Sequence, residues 1–263
     1  MSSAGFIDGL KQDDVLIFAG AHPDDETVIG PLLAYCADRC REVVVISLTR
    51  GESGHNLSKE DLTQTLSQVR EKEFKASVHK LGCTPVMLDY VNGATRAHPG
   101  GLAVLDLRET AHKRWRTVDR GSPEAIRARW TEQTGNPTEA LLALFRAKRP
   151  AVVITHDLQK GFTGHPEHIA MTQVTLDAVR VYNRSAEPKA TLYCAHDPEG
   201  EVQGGERILT SDLSSAGGRD YLALASQCRA LYESQFGPRG SDTSTSYVAM
   251  RGPAALLLRV DAG

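Results

Sequence analysis

Three segments near the N-terminus confine this chain to a small set of folds. Val15-Leu16-Ile17-Phe18-Ala19 is a short apolar run bounded by Asp13-Asp14 and Gly20, and Val43-Val44-Val45-Ile46-Ser47-Leu48 is a second, continuous and rich in β-branched residues. Runs without polar alternation read as strands buried on both faces. Between them, from Val28 to Cys40, the apolar residues Ile29, Leu32, Leu33 and Cys36 recur at helical spacing. Strand, helix, strand is a βαβ unit.

The alternation continues. Helical patterning runs from about Lys59 to Leu81, with a short strand at Val86-Met87-Leu88, a helix at about Thr138 to Ala147 and a strand at Ala151-Val152-Val153-Ile154. A helix follows from about His165 to Tyr182, then strand candidates at Thr191-Leu192-Tyr193-Cys194 and Arg207-Ile208-Leu209-Thr210. A helix from about Tyr221 to Gln235 and an extended segment from Ala255 to Val260 complete the series. The expected fold is α/β, with a Rossmann-like, mostly parallel sheet carrying helices on both faces. A chain of 263 residues, 41% of them hydrophobic, is long enough for one large core, so residues 1–263 read as a single domain. The stretch from Val91 to Pro137 breaks the rhythm, being rich in Gly, Arg and Thr, with Trp115, Trp130 and a helix around Pro123 to Trp130. A connection of that length reads as an insertion near the active site. A peripheral or oligomer-forming element is the competing reading, which leaves a homo-oligomer open.

A net charge of −3 gives no overall field that would hold nucleic acid or an anionic membrane, and favours a neutral or small substrate. No run of about 18 apolar residues could span a bilayer, and the first strand begins too soon for a signal peptide, so a cytoplasmic location is expected. The five cysteines are scattered and lack the Cys-x-x-Cys spacing of a structural zinc site.

In an open parallel sheet, ligands bind beyond the carboxyl ends of the strands. After the first strand comes Gly20-Ala21-His22-Pro23-Asp24-Asp25-Glu26. Helix capping accounts for an aspartate here, but not for His22 fixed ahead of Pro23. His22 and Asp25, three apart, can converge across the turn as one imidazole and one carboxylate, donors suited to zinc. Asp24 must then point elsewhere, as a general base for a metal-activated water would. A second strand end supplies Thr155-His156-Asp157 and Gly164-His165-Pro166-Glu167-His168. With Pro166 in the first helical turn, His165 and His168 share a face. One can complete a three-ligand site while the other points at substrate.

Taken together, Ala-His-Pro-Asp-Asp-Glu after the first strand and His-Pro-Glu-His after a later one resemble the signatures of the PIG-L/LmbE-like zinc-dependent N-deacetylases, over roughly Val15 to Ile169. The resemblance implies zinc held by His22, Asp25 and His168, although another divalent ion would suit the same donors. It implies Asp24 as general base, and His165 as an imidazolium that stabilises the tetrahedral oxyanion and protonates the leaving amine. Thr49-Arg50-Gly51-Glu52-Ser53-Gly54 and Arg70-Glu71-Lys72-Glu73-Phe74 are similar to family segments, making Arg70 and then Arg50 the expected substrate-contacting cations. Asn92 and Glu167 depart from the pattern, since the family more often carries Asp at both positions; Asn92 can still hydrogen-bond a sugar hydroxyl. Glu26 is expected to hold a neighbour by hydrogen bond.

The implied activity is removal of the N-acetyl group from an N-acetylglucosamine-containing small molecule or conjugate. The same site could instead hydrolyse a non-sugar amide. A nucleotide-binding enzyme is disfavoured because no Gly-x-Gly-x-x-Gly follows the first strand. A non-catalytic zinc- or sugar-binding module would be expected to lose Asp24 or His165, and both are present.

Overall fold

The computed structural model describes residues 5–52, 57–58, 64–92, 103–105, 115–117, 122–162, 164–198, 200, 202–238 and 254–262, with 103–105 and 115–117 described by their backbone alone. In chain order the elements are α1 (Phe6–Gly9), β1 (Val15–Gly20), a 3-10 turn (Asp25–Ile29), α2 (Gly30–Ala37), β2 (Glu42–Thr49), α3 (Leu66–Lys80) and β3 (Thr84–Tyr90). The short strands β4 (Ala103–Leu105) and β5 (Trp115–Thr117) follow, then α4 (Pro123–Gln133), α5 (Pro137–Lys148), β6 (Val152–His156) and α6 (Pro166–Asn183). The chain continues through β7 (Thr191–His196), β8 (Glu206–Leu209), α7 (Thr210–Gly217), α8 (Tyr221–Arg229), α9 (Glu233–Phe236) and β9 (Ala254–Val260).

Among the described residues the main sheet has seven strands in the order β3-β2-β1-β6-β7-β9-β8. The first five in that order pair in parallel, whereas β9 runs antiparallel to β7 and β8. The expected Rossmann-like, mostly parallel sheet is therefore present. Alternate residues of β1 divide between two cores. Leu16 and Phe18 pack with Leu32, Leu33, Phe74 and Tyr221 from α2, α3 and α8. Val15, Ile17 and Ala19 pack with Trp130, Leu142, Phe145 and Val174 from α4, α5 and α6. Both faces of β1 are covered, which is why its sequence shows no polar alternation.

Several boundaries differ from those read in the sequence. Helix α3 starts at Leu66, because Thr65 and Gln68 form a reciprocal capping box; residues 59–63 lie outside the described residues. The segment expected as one helix from Tyr221 to Gln235 divides into α8 and α9. The break turns Tyr232 inward, where its hydroxyl donates to Glu26 Oε1 at 2.6 Å, and lets the Ser234 amide donate to Glu73 Oε1 at 2.8 Å. Thr210, expected to end a strand, instead opens α7. The later part of the irregular Val91 to Pro137 stretch is helix α4, whose Ile126 and Trp130 are buried and whose Trp130 indole donates to the Val91 carbonyl at 2.8 Å. Residues 93–102, 106–114 and 118–121 of that stretch lie outside the described residues. The five cysteines are free; Cys36, Cys83, Cys194 and Cys228 are buried and Cys40 is half-buried.

Candidate active site and metal centre

The sheet order reverses between β1 and β6. From β1 the chain proceeds outward to β2 and β3, and from β6 it proceeds the other way to β7. Loops leaving two adjacent strands at such a point diverge and open a crevice. The loop after β1 carries His22, Asp24 and Asp25, and the loop after β6 carries Asp157, His165 and, one turn into α6, His168. The registers Phe18↔Ile154 and Ala19↔Thr155 bring both loops out at one level.

Asp25 faces two ways. Its Oδ2 accepts from the backbone amides of Ala21 (2.7 Å) and His22 (2.9 Å) and lies 3.2 Å from His156 Nε2. Its Oδ1 lies 3.1 Å from His168 Nε2 and 3.8 Å from His22 Nδ1, and those two ring nitrogens are 3.0 Å apart. A tetrahedral zinc with ordinary nitrogen and oxygen bonds would separate its ligand atoms by about 3.4 Å. Gly20 permits the close turn, since a Cβ there would lie 2.8 Å from Asp25 Cβ.

The hydrogen bonds around these atoms decide what they can hold. His168 Nδ1 lies 2.8 Å from the Gly161 carbonyl, an acceptor, and so carries the proton. His22 Nε2 is likewise committed to the carboxylate of Glu167. Each imidazole, when neutral, thus turns a bare lone pair toward the other and toward Asp25 Oδ1. Three acceptors facing one another need a cation between them, a proton on His22 in the metal-free chain or a metal ion in its place, and rings whose far nitrogens bond to a carboxylate and a carbonyl are arranged as metal-ligating histidines are. The donor set fits a divalent metal ion. Two overlapping clusters could each hold an ion, His22, His165 and His168 on one side and Asp25, His156 and His168 on the other.

The charges follow the same pattern. Burial works to lower the pKa of His22, but hydrogen bonds and charge from Asp25 and Glu167 outweigh it and raise the value to about 10 in the metal-free chain. Burial works to raise that of Asp25, but His168 and His156 hold it well below the usual carboxylate range. For Asp24, burial and the neighbouring Asp25 raise the pKa to about 7 against the opposing pull of Arg70. Asp24 also has φ +100, a conformation that L-residues seldom adopt.

His165 is the N-cap of α6, and its Nδ1 accepts from the Glu167 amide at 3.2 Å. A nitrogen that accepts an N–H bears no proton, so the ring is neutral with its proton on Nε2. Burial and the adjacent His22 and His168 hold its pKa well below the ordinary histidine value. The imidazolium implied by the resemblance differs from this state for that physical reason.

Arg70 is buried, donates to the Gly51 carbonyl and faces the charges of Asp24, Glu73 and Glu52. Arg50 lies farther out, paired with Glu71 and, at 2.5 Å, with Asp89. Neither converges on the metal position. Asn92 is buried and donates from Nδ2 to Glu167 Oε2 at 2.7 Å. Glu26 accepts from Ser77 (2.8 Å) and Tyr232 (2.6 Å), tying the first loop to α3 and the α8–α9 turn. Ser53, Gly54, His55, His98 and His112 lie outside the described residues. His156 and Glu167 also belong to the site: His156 closes β6 at the level where β1 releases its own loop, and Glu167 meets His22.

A family model described as PIG-L: GlcNAc-PI de-N-acetylase matches residues 17–179, more than half of the chain. The chain is 30% identical over 181 residues to the 1D-myo-inositol 2-acetamido-2-deoxy-alpha-D-glucopyranoside deacetylase 1 of Frankia casuarinae, an alignment covering 66% of this chain and 52% of that protein. It spans about half the length of the curated relatives it matches. Among solved structures, the N,N'-diacetylchitobiose deacetylase of Pyrococcus horikoshii aligns with a TM-score of 0.56 at 14% identity, over 95% of this chain and 84% of that one. The 4-carboxy-2-hydroxymuconate hydratase of Pseudomonas putida KT2440 aligns with a TM-score of 0.57 at 15% identity, over 96% and 97%. Likeness at these identities is one of fold, and the fold accommodates more than one reaction.

Proposed function

The chain belongs to the PIG-L family, and from that premise we propose that it is a metal-dependent hydrolase removing the N-acetyl group from an N-acetylglucosamine-containing small molecule or conjugate, with release of acetate and a free amine. The observation that carries this reading is the meeting of His22 Nδ1, Asp25 Oδ1 and His168 Nε2. The far nitrogen of each imidazole is already committed to an oxygen acceptor. These three residues would hold the ion, with zinc as the first choice for two imidazoles and a carboxylate. When bound, such an ion acidifies a coordinated water and polarises the acetamide carbonyl.

The chain's own groups supply the rest. Asp24, with a pKa near neutrality, accepts a proton from the attacking water. His165 presents Nε2–H to the carbonyl oxygen as negative charge develops there, and a neutral donor in a buried site needs no reorganisation to do so. The proton held by Asp24 then passes to the departing nitrogen, so the amine leaves neutral and the base is regenerated. Arg70 stands close enough to Asp24 to balance its charge. The sugar lies toward Asn92 and Arg70, with Arg50 at the outer edge.

The Frankia relative is a deacetylase of a 2-acetamido-2-deoxyglucopyranoside linked to inositol. No helix among the described residues is long and apolar enough to cross a membrane. A GlcNAc conjugate with a polar aglycone is the preferred substrate class.

Metal analysis of the purified chain, combined with a screen of N-acetylglucosamine conjugates and simple acetamides for acetate and free amine, tests the proposal. The expected result is about one bound divalent ion, activity lost with a chelator and restored by metal, and turnover of the sugar conjugates. Equal turnover of simple acetamides would move the reading to a general amidohydrolase, and metal-independent amine release would overturn it.

A further inference from the structure

The two positions that depart from the family pattern, Asn92 and Glu167, are in direct contact. Glu167 is 1% exposed, and its Oε2 both meets His22 Nε2 and accepts from Asn92 Nδ2 at 2.7 Å. Asn92 is fixed in turn by its own amide, which donates to Glu52 Oε1 at 2.8 Å. The other Glu167 oxygen, Oε1, is buried without a hydrogen-bond partner. A carboxylate is expensive to bury, and this one is kept where its single engaged oxygen touches a histidine and an amide donor.

From this geometry we infer that Glu167 is a positioning residue for His22, and that Asn92 holds Glu167 in place. The carboxylate fixes the His22 ring with the proton on Nε2 and the lone pair of Nδ1 toward Asp25 and His168. Without it, the ring could rotate or exchange tautomers, and one of the three converging atoms would be lost. The inference rests on the reading of His22 as a metal ligand.

The side-chain lengths and charges fit as a pair. Aspartate at 167 would be shorter by about 1.5 Å, one carbon–carbon bond, and would draw the carboxylate back toward α6. At 92, an aspartate would set a second carboxylate against the first, whereas the amide donates to it. Each departure suits the other. The Glu167 backbone amide meanwhile donates to His165 Nδ1, so one residue orients both neighbouring imidazoles, one by its side chain and one by its main chain.

The test measures zinc binding by competition with a chromophoric chelator for wild type, Glu167→Gln, Glu167→Ala, Asn92→Ala, Glu167→Ala/Asn92→Ala and His22→Ala. Circular dichroism melts verify folding, and histidine ring 15N spectra of the zinc-loaded protein report the His22 tautomer. Glu167→Ala should weaken zinc binding by about 10- to 100-fold and remove the hydrogen-bonded His22 Nε2–H signal. Glu167→Gln, which retains an acceptor, should lose less. Asn92→Ala should weaken binding several-fold in wild type and not at all in the Glu167→Ala background, because its effect runs through Glu167. If zinc affinity depends on His22 but neither affinity nor the His22 ring signals respond to Glu167, the positioning role is overturned and the metal site stands. A folded wild-type chain that binds no divalent ion, or binds it equally well without His22, overturns the ligand assignment and this role with it.

Discussion

His156 Nε2 lies 3.2 Å from Asp25 Oδ2, joining the end of β6 to the loop after β1. Two backbone amides donate to that same oxygen, so Oδ2 is occupied and Oδ1 is left for a metal. His156 is fully buried and stacks on His168 with ring centroids 4.5 Å apart, and burial lowers its pKa, so a neutral ring stands against Asp25.

Replacing His156 with alanine is therefore expected to weaken zinc binding by about tenfold. Chelator competition measures the change, and unaltered affinity would show that the Asp25 contact has no orienting role.

Asp24 is not one of the three converging residues, so its substitution should separate chemistry from binding. Asp24→Asn is expected to lower kcat by roughly 10²- to 10⁴-fold while leaving bound metal near the wild-type ratio. Metal analysis alongside initial rates distinguishes the outcomes; an active, metal-loaded variant would remove Asp24 from the reaction.

Gly161 has φ +54, and a Cβ at that position would sit 2.6 Å from His168 Cβ and 2.8 Å from the Ile169 amide nitrogen. Its carbonyl also anchors His168 Nδ1. Gly161→Ala should thus lower stability by about 1–3 kcal/mol and weaken metal binding in the same variant. Urea denaturation and chelator competition report the two effects, which ought to appear together.

Burial raises the pKa of Glu26 from 4.5 to about 7, with the hydrogen bonds from Tyr232 and Ser77 opposing the shift. Between those values the folded chain holds a proton that the unfolded chain has released, so stability falls as pH rises through the window and levels off above it. With chelator present, the wild type should lose up to roughly 3 kcal/mol more than Glu26→Gln between pH 4 and pH 8. Urea midpoints at the two pH values give the difference, and parallel losses would contradict the assignment.

The sheet was legible because strands buried on both faces leave unbroken apolar runs, as in β1 and β2. The interruption of α8 was not, since helical periodicity cannot report that Tyr232 must turn inward toward Glu26. The meeting of His22, Asp25 and His168 was legible from their spacing at two strand ends together with the family resemblance. Glu167 and His156 were obscure because their significance comes from partners far away in sequence, His22 and Asp25. The neutral state of His165 depends on one backbone amide, a detail of helix capping that residue identities do not encode.

The adjacency of β1 and β6 also bears on when the centre can exist during folding. His22 and Asp25 are made early in synthesis, but His168 arrives only after α2 to α5 and the five strands β2 to β6 have been traversed. An N-terminal fragment ending before β6 would carry the better-known half of the signature and have no centre at all. Closing that long connection is slow by the ordinary cost of non-local contacts. An ion bridging the two loops would act as a latch on the finished sheet, holding shut the seam between its earliest and its later-made halves.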